Sequence, residues 1–432
     1  MTEHAYESQF FQLLREELVP ALGCTEPIAI AFGAAKAREV LGRFPERIDV
    51  CCSCNLIKNI RCVTVPNTGQ LVGIEAAVVA GIVGGKSGKG MEVLADLDDQ
   101  DRSRIRDIIN QNICTIRLLE SPLNLHFIIT CHAGGSYSKI EIKNLHTNIT
   151  LIEKDGHVLF SANEAATGYY GVLTDRSFMT VDRILSFVEQ ADLNQLKEVL
   201  SKQIEYNMAI AHAGMTETFG VGIGRTILKH DSSLFGKIKA YSSAASEARM
   251  CGSLLPVITN SGSGNQGITA SVPVIIFAKE KKLPEAKMYR AIALANLLSI
   301  YQKSLIGRLS AFCGAISASC GSGAAITYLD GGTPEQVKMA VINTLANASG
   351  IVCDGAKASC AAKIAAGLDA AMLGYFLAIE NQVYLPRSGI LGDNADQTIS
   401  AIGRIAREGM KDMDRVILDI MLDSETTEKC ID

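Results

Sequence analysis

Apolar residues recur with mixed periods in the first third of the chain and almost wholly at helical spacing in the rest. Residues 6–21 and 26–40 repeat apolar positions every three to four residues, which predicts two helices. Thr25 stands where the second would be capped, and Pro27 falls in its first turn. Runs rich in β-branched residues follow at 47–54, 62–66, 114–119, 126–131, 139–143 and 148–152. Turn signals separate them, among them Pro66-Asn67-Thr68-Gly69, Gly134-Gly135-Ser136 and Asp155-Gly156. Residues 70–83 read as a helix after the first of these turns. From Val181 the pattern is helical at 181–191, 193–213, 234–250, 271–278, 284–305, 334–348, 361–379 and 398–422, with Gly/Ser-rich connections between.

The expected fold is α+β. A mixed α/β domain over 1–175 precedes a mostly α-helical, Ala/Gly-rich domain over 176–432, with the change of character near 165–180. No fixed period recurs, which excludes a solenoid.

Composition adds limits rather than identity. A chain of 432 residues with 48% apolar and 20% charged content can build two cores. The net charge of -5 comes from interleaved acids and bases, so no basic stripe invites nucleic acid or an anionic membrane surface. The uncharged stretch 309–329 is rich in Gly, Ser and Ala, which suits a buried helix pair better than a membrane span. The N-terminus has acids where a secretory leader has bases, so a cytoplasmic protein is expected. The small-residue helices are compatible with a homodimer.

Thirteen cysteines change the picture. In a reducing compartment they are not expected to form disulfides, which leaves metal binding, catalysis or packing. Cys51-Cys52-Ser53-Cys54 lies in a strand pattern whose side chains alternate, and reads as packing. Gly23-Cys24-Thr25-Glu26-Pro27 puts a thiol where a helix opens. Unpaired N–H groups and the helix dipole there favour thiolate, making Cys24 a candidate catalytic group. Residues 312–320 and 352–360 each carry two cysteines seven apart, Cys313 with Cys320 and Cys353 with Cys360, in glycine-punctuated sequence. No C-x-x-C occurs among them, so zinc ribbons and ferredoxin runs are not matched, whereas thiolates beside glycines suit an iron–sulfur cluster. Small apolar packing is the plain alternative for each cysteine alone.

Ser261-Gly262-Ser263-Gly264-Asn265-Gln266-Gly267 feeds a helix and offers backbone donors to an anion. It lacks the Lys-Ser/Thr ending of a P-loop, and an amino-acid carboxylate fits it as well as a phosphate. Asn67 and Thr68, in a turn ending a strand pattern, and His212, late in a helix, are further candidates for substrate contact. Gly220–Arg225 reads as a turn ending a helix.

Taken together, the Gly23–Pro27 opening, the Asn260–Gly267 loop and the two cysteine segments resemble the L-cysteine desulfidases over essentially the whole chain. These belong with the iron–sulfur L-serine dehydratases and a formerly uncharacterised protein family. The stretch from Cys313 to Cys360 is similar to the dehydratase α region. The resemblance implies a pyridoxal-independent lyase holding a 4Fe–4S cluster through Cys313, Cys353 and Cys360, with an open iron for the leaving group. The dehydratase pattern spaces its two downstream cysteines more widely, which leaves Cys24 or Cys320 as alternatives to Cys360. It also places a C-terminal cysteine in the site, a position that Cys430 could copy. The implied reaction releases sulfide, pyruvate and ammonia from L-cysteine, with Cys24 as the base; the alternatives are L-serine dehydration and a non-catalytic metal or redox sensor.

Overall fold

The β-branched runs and the Ala-rich periodic segments separate into a sheet layer and a helical body. The computed structural model describes residues 6–162 and 174–422. The chain begins with α1 (Glu7–Glu17), β1 (Pro20–Leu22), α2 (Thr25–Leu41), β2 (Arg47–Cys52), α3 (Cys54–Ile60), α4 (Gly73–Gly84) and α5 (Asp99–Ile109). It continues through β3 (Cys114–Leu118), β4 (His126–Ala133), β5 (Ser136–Lys143), β6 (Ile149–Lys154) and β7 (His157–Ser161). The helical part runs α6 (Val181–Gln190), α7 (Leu193–Thr216), α8 (Ile223–His230), α9 (Leu234–Met250), β8 (Pro256–Ile258), α10 (Gly264–Glu280) and α11 (Glu285–Ile306). It ends with α12 (Gly314–Leu329), α13 (Pro334–Asn347), α14 (Cys360–Ile379), α15 (Ala395–Arg404) and α16 (Met413–Leu422).

The sheet has the order β3-β2-β4-β5-β6-β7; β2 and β3 run parallel and the other pairs antiparallel. Alternation along β4 buries Phe127, Ile129, Cys131 and Ala133 on one face. That face packs under α2, where Gly33 is required because a Cβ would lie 2.8 Å from the Phe127 ring. The fold is α+β, as the pattern of periods implies.

Several elements depart from expectation for local reasons. Residues 62–66 form no strand beyond an isolated Thr64–Val72 bridge, because the Thr68 hydroxyl donates to Val65 O and closes the segment into a loop. Helix α5 was hidden by its polarity, and an Asp98–Asp101 capping box starts it. The stretch 309–329 holds one helix, α12, rather than a pair. Its Gly321 and Gly323 admit close neighbours, since Cβ atoms there would sit 2.5 Å from Ala295 O and 2.9 Å from Ala371 O. Gly222 caps the start of α8, so the 220–225 turn begins a helix.

Two apolar clusters hold the layers together, and each draws on a chain end. Phe10, Phe11, Leu13 and Leu14 of α1 pack into the helical body with Phe178 and Phe187, whereas Leu418 of α16 joins the cluster beneath the sheet. Strands β1 and β8 pair antiparallel between the layers. The change of character expected near 165–180 falls in good part on residues 163–173, outside those described. Helix α14 is apolar and long enough to cross a bilayer by composition, but it packs against α9, α12 and α13.

Candidate functional site

Two short backbone bonds bring the distant cysteine segments together. Cys313 N donates to Ile351 O at 2.9 Å and Cys353 N to Ala311 O at 2.7 Å, around a Phe312–Val352 bridge. Cys360 follows one turn later as the first residue of α14. Cys313, Cys353 and Cys360 then line one small cavity of about 90 Å³ with Cys24, Glu26, Ser261, Gly262, Ser263, Asn265 and Gln266. The cavity suits a small polar ligand.

Among the described residues, four helices open at this cavity. Cys24 is the N-cap of α2, Ser263 of α10, Cys313 of α12 and Ser359 of α14, and none has a side-chain capping bond. Free N–H groups at α2, α10 and α12 and the positive ends of four dipoles make the walls suited to an anion, whereas the first N–H groups of α14 are already bonded to Lys357 O, Ala358 O and Ser359 O. Burial pushes the Cys313 thiol up to about 12, and the proximity of Cys353 and Cys360 adds to it. Among the described residues, no three His, Cys, Asp or Glu side chains are placed to hold a single metal ion.

Cys24 occupies the cap position itself, with Thr25 as the first helical residue. Its ionisation differs from expectation. Burial first, and the charge of Glu26 second, push the thiol well above its usual value, outweighing the pull of Arg249. Cys24 is therefore a thiol, and its Sγ donates to Glu26 Oε2 at 2.9 Å. Burial pushes Glu26 up as well, but His146 and the Cys24 thiol bring its carboxyl down to about 2. His146 Nε2 stands 4.0 Å from Glu26 Oε1, too far for a hydrogen bond. Glu26 is thus a buried carboxylate that stays ionised and accepts the Cys24 thiol hydrogen bond.

Arg249, near the end of α9, is 3% exposed and lies beneath the first turn of α10. Its Nη1 donates to Asn265 Oδ1 at 3.1 Å, while its Nε has no partner. Gln266 Oε1 is likewise buried and unpartnered. Gly264 and Gly267 are packing residues rather than wall: Cβ atoms would meet Arg249 Nε at 2.4 Å and Ile258 O at 2.0 Å. Lys303 of α11 also lines the cavity; burial pulls its ammonium down to about 8 against the opposing pull of Cys353 and Cys313. Arg308 lines another side and is paired through Nη2 with Glu17 at 2.5 Å.

The remaining sequence candidates lie elsewhere. Asn67 ties its turn to a distant segment, donating to Leu94 O and Leu97 O and accepting from Arg102; Thr68 is buried on Val65 O. His212 is exposed on α7, edge-on to Tyr241. Cys320 is buried in the core, its Sγ donating to Val341 O at 3.9 Å. Cys54 opens α3 and Cys51 and Cys52 end β2, so that run is structural. Cys430 lies outside the described residues.

Sequence reasoning assigned no role to Glu26, His146, Arg249, Lys303 or Arg308. Glu26 stood inside a motif already singled out. Lys303 carried a signal too, as a cation in the otherwise uncharged second half of α11. Arg249 and His146 gave none, because their positions depend on the packing of distant elements.

Residues 88–419 match the family profile described as serine dehydratase alpha chain. A UPF0597 protein of Desulfitobacterium hafniense (strain Y51) is 46% identical over 96% of this chain and 97% of its own length. One from Lachnoclostridium phytofermentans is 46% identical over 96% and 99%, and one from Treponema denticola 43% over 96% and 97%.

Proposed function

The chain belongs to the serine dehydratase alpha-chain family, and on that premise we propose that it is a pyridoxal-independent lyase acting on a small β-substituted amino acid, with L-cysteine as substrate. The observation that carries this reading is the single cavity joining three thiols, four uncapped helix N-termini and the Cys24–Glu26 pair. The donor set fits a 4Fe–4S cluster. Thiols are its usual protein ligands, the helix ends favour its net negative charge, and separate irons take separate cysteines, so the three need not converge on one point. Cys313, Cys353 and Cys360 would hold it. When bound, such a cluster supplies a soft Lewis acid for a departing sulfide or hydroxide.

The protein's own groups account for the rest. The substrate carboxylate lies on the free N–H groups at the start of α10, with the Arg249 guanidinium behind them. The Cα proton passes to the Cys24–Glu26 pair, which carries one negative charge and one shared proton between Sγ and Oε2 and so can accept a second. Loss of the β-substituent then leaves an aminoacrylate. Its tautomer adds water and releases ammonia and pyruvate, so L-cysteine and water give pyruvate, ammonia and hydrogen sulfide.

The family's description favours a second reading, dehydration of L-serine by the same steps. Anaerobic reconstitution with iron and sulfide, followed by parallel assays of pyruvate from both amino acids, separates them. Higher kcat/KM for L-cysteine with equimolar sulfide is expected. Turnover of L-serine alone would transfer the assignment to the dehydratase, and turnover of neither would remove the lyase.

A further inference from the structure

Lys58 is among the largest fully buried side chains of the protein. A lysine with no exposed side-chain surface is costly unless its ammonium is fully partnered. Its partners come from two distant parts of the chain. Nζ donates to Asp414 Oδ1 of α16 at 2.5 Å and to the carbonyl oxygen of Cys353 at 2.9 Å. The other Asp414 oxygen accepts from Asn55 Nδ2 at 2.7 Å, so the carboxylate is held on both sides by α3.

The loop after Cys353 rests on the same helix. Ala356 N donates to Asn59 O at 3.4 Å. Gly355 has φ of 94°, and any Cβ there would come within 2.4 Å of Lys58 O. The Cys353 N–H is already spent on Ala311 O at 2.7 Å. Both polar groups of the Cys353 backbone are thereby fixed, one by the neighbouring cysteine segment and one by Lys58. An apolar side chain could fill the space but would leave Cys353 O without this donor and the Asp414 carboxylate buried without its cation.

We propose that Lys58, held in place by Asp414, is a positioning residue that orients Cys353, so that the docking of α16 on α3 governs how firmly the cysteine cavity retains an iron–sulfur cluster. This rests on the reading of Cys353 as a ligand. Outer partners that fix a ligand's orientation commonly matter about 10- to 100-fold for metal retention.

The test uses the full chain as wild type, Lys58→Met, Lys58→Arg and Asp414→Asn, with apo-state thermal melts to identify any variant that does not fold. In the apo proteins, the alkylation rate of Cys353 is read by mass spectrometry with exposed Cys62 as the internal reference. After anaerobic reconstitution, iron and sulfide per chain and the lifetime of the visible cluster absorbance in air are measured. Lys58→Met is expected to alkylate Cys353 faster and to lose its cluster about tenfold sooner, with Lys58→Arg recovering part of both. Asp414→Asn, the milder change, is expected to lie between, and it decides the matter if Lys58→Met does not fold. Wild-type alkylation and cluster lifetime in the folded variants would overturn the proposal. Altered alkylation in the variants, with a wild type that takes up no cluster, would sink the ligand reading and the cluster role together, while leaving the Lys58 contact to Cys353 intact.

Discussion

Cys24 Sγ and Glu26 Oε2 are 2.9 Å apart at the opening of α2, a buried thiol donating to a buried carboxylate. The pair reassigns the proton chemistry of the cavity. A cysteine at a helix N-terminus alone should ionise readily, but here burial and the adjacent acid keep it protonated, and the pair carries its negative charge on the carboxylate.

Replacing Glu26 by Gln removes that acceptor while keeping the shape. Turnover should fall about 10²- to 10⁴-fold with little change in bound iron, as expected for loss of a general base. Steady-state kinetics alongside iron analysis check both halves.

The same residue makes stability depend on acid pH. The folded-state carboxyl is depressed from 4.5 to about 2, so the ionised form stabilises the fold above about pH 4.5. That contribution, roughly 3 kcal/mol, is lost as pH falls toward 2. Urea unfolding at stepped pH should show this slope in wild type and its absence in Glu26→Gln.

Arg249→Met should raise KM about 10- to 100-fold through loss of a charged hydrogen bond worth about 1.5–3 kcal/mol. Arg249→Lys should not restore it, because a lysine lacks the planar fork that reaches both Asn265 and the substrate. Initial-rate kinetics on cluster-matched samples provide the readout.

Gly267→Ala tests whether the loop glycine binds substrate or packs. A Cβ would sit 2.0 Å from Ile258 O, so the expected cost is about 1–3 kcal/mol of stability with KM unchanged in the folded fraction. A thermal melt and a KM measurement separate the two roles.

The helical half was legible because Ala-rich segments with period near 3.6 must bury a face, and α9 matches its expected bounds of 234–250. The cysteine segments were legible as motifs, and the fold places Cys313, Cys353 and Cys360 on one wall. Their mutual approach was not, since it depends on a backbone bridge between residues about forty positions apart. The ionisation of Cys24 could not be read locally because Glu26 shares its motif but Arg249 and His146 arrive from α9 and the β5–β6 loop. Asn67 and Thr68 show the opposite failure: turn chemistry resembles site chemistry, and here Thr68 is spent on its own turn and Asn67 on tying that turn to the 94–97 segment. Helix α3 was missed because a seven-residue helix begins where a cysteine-rich strand ends.

Anaerobic reconstitution of the wild type and of a Cys313→Ser/Cys353→Ser double variant decides most directly whether these cysteines carry the chemistry. Iron, sulfide and pyruvate are to be counted in the same samples. Wild type should hold about four irons per chain and turn L-cysteine into pyruvate and sulfide in equal amounts, whereas the folded double variant should hold little iron and give neither product. Undiminished pyruvate and sulfide from the double variant would contradict the assignment.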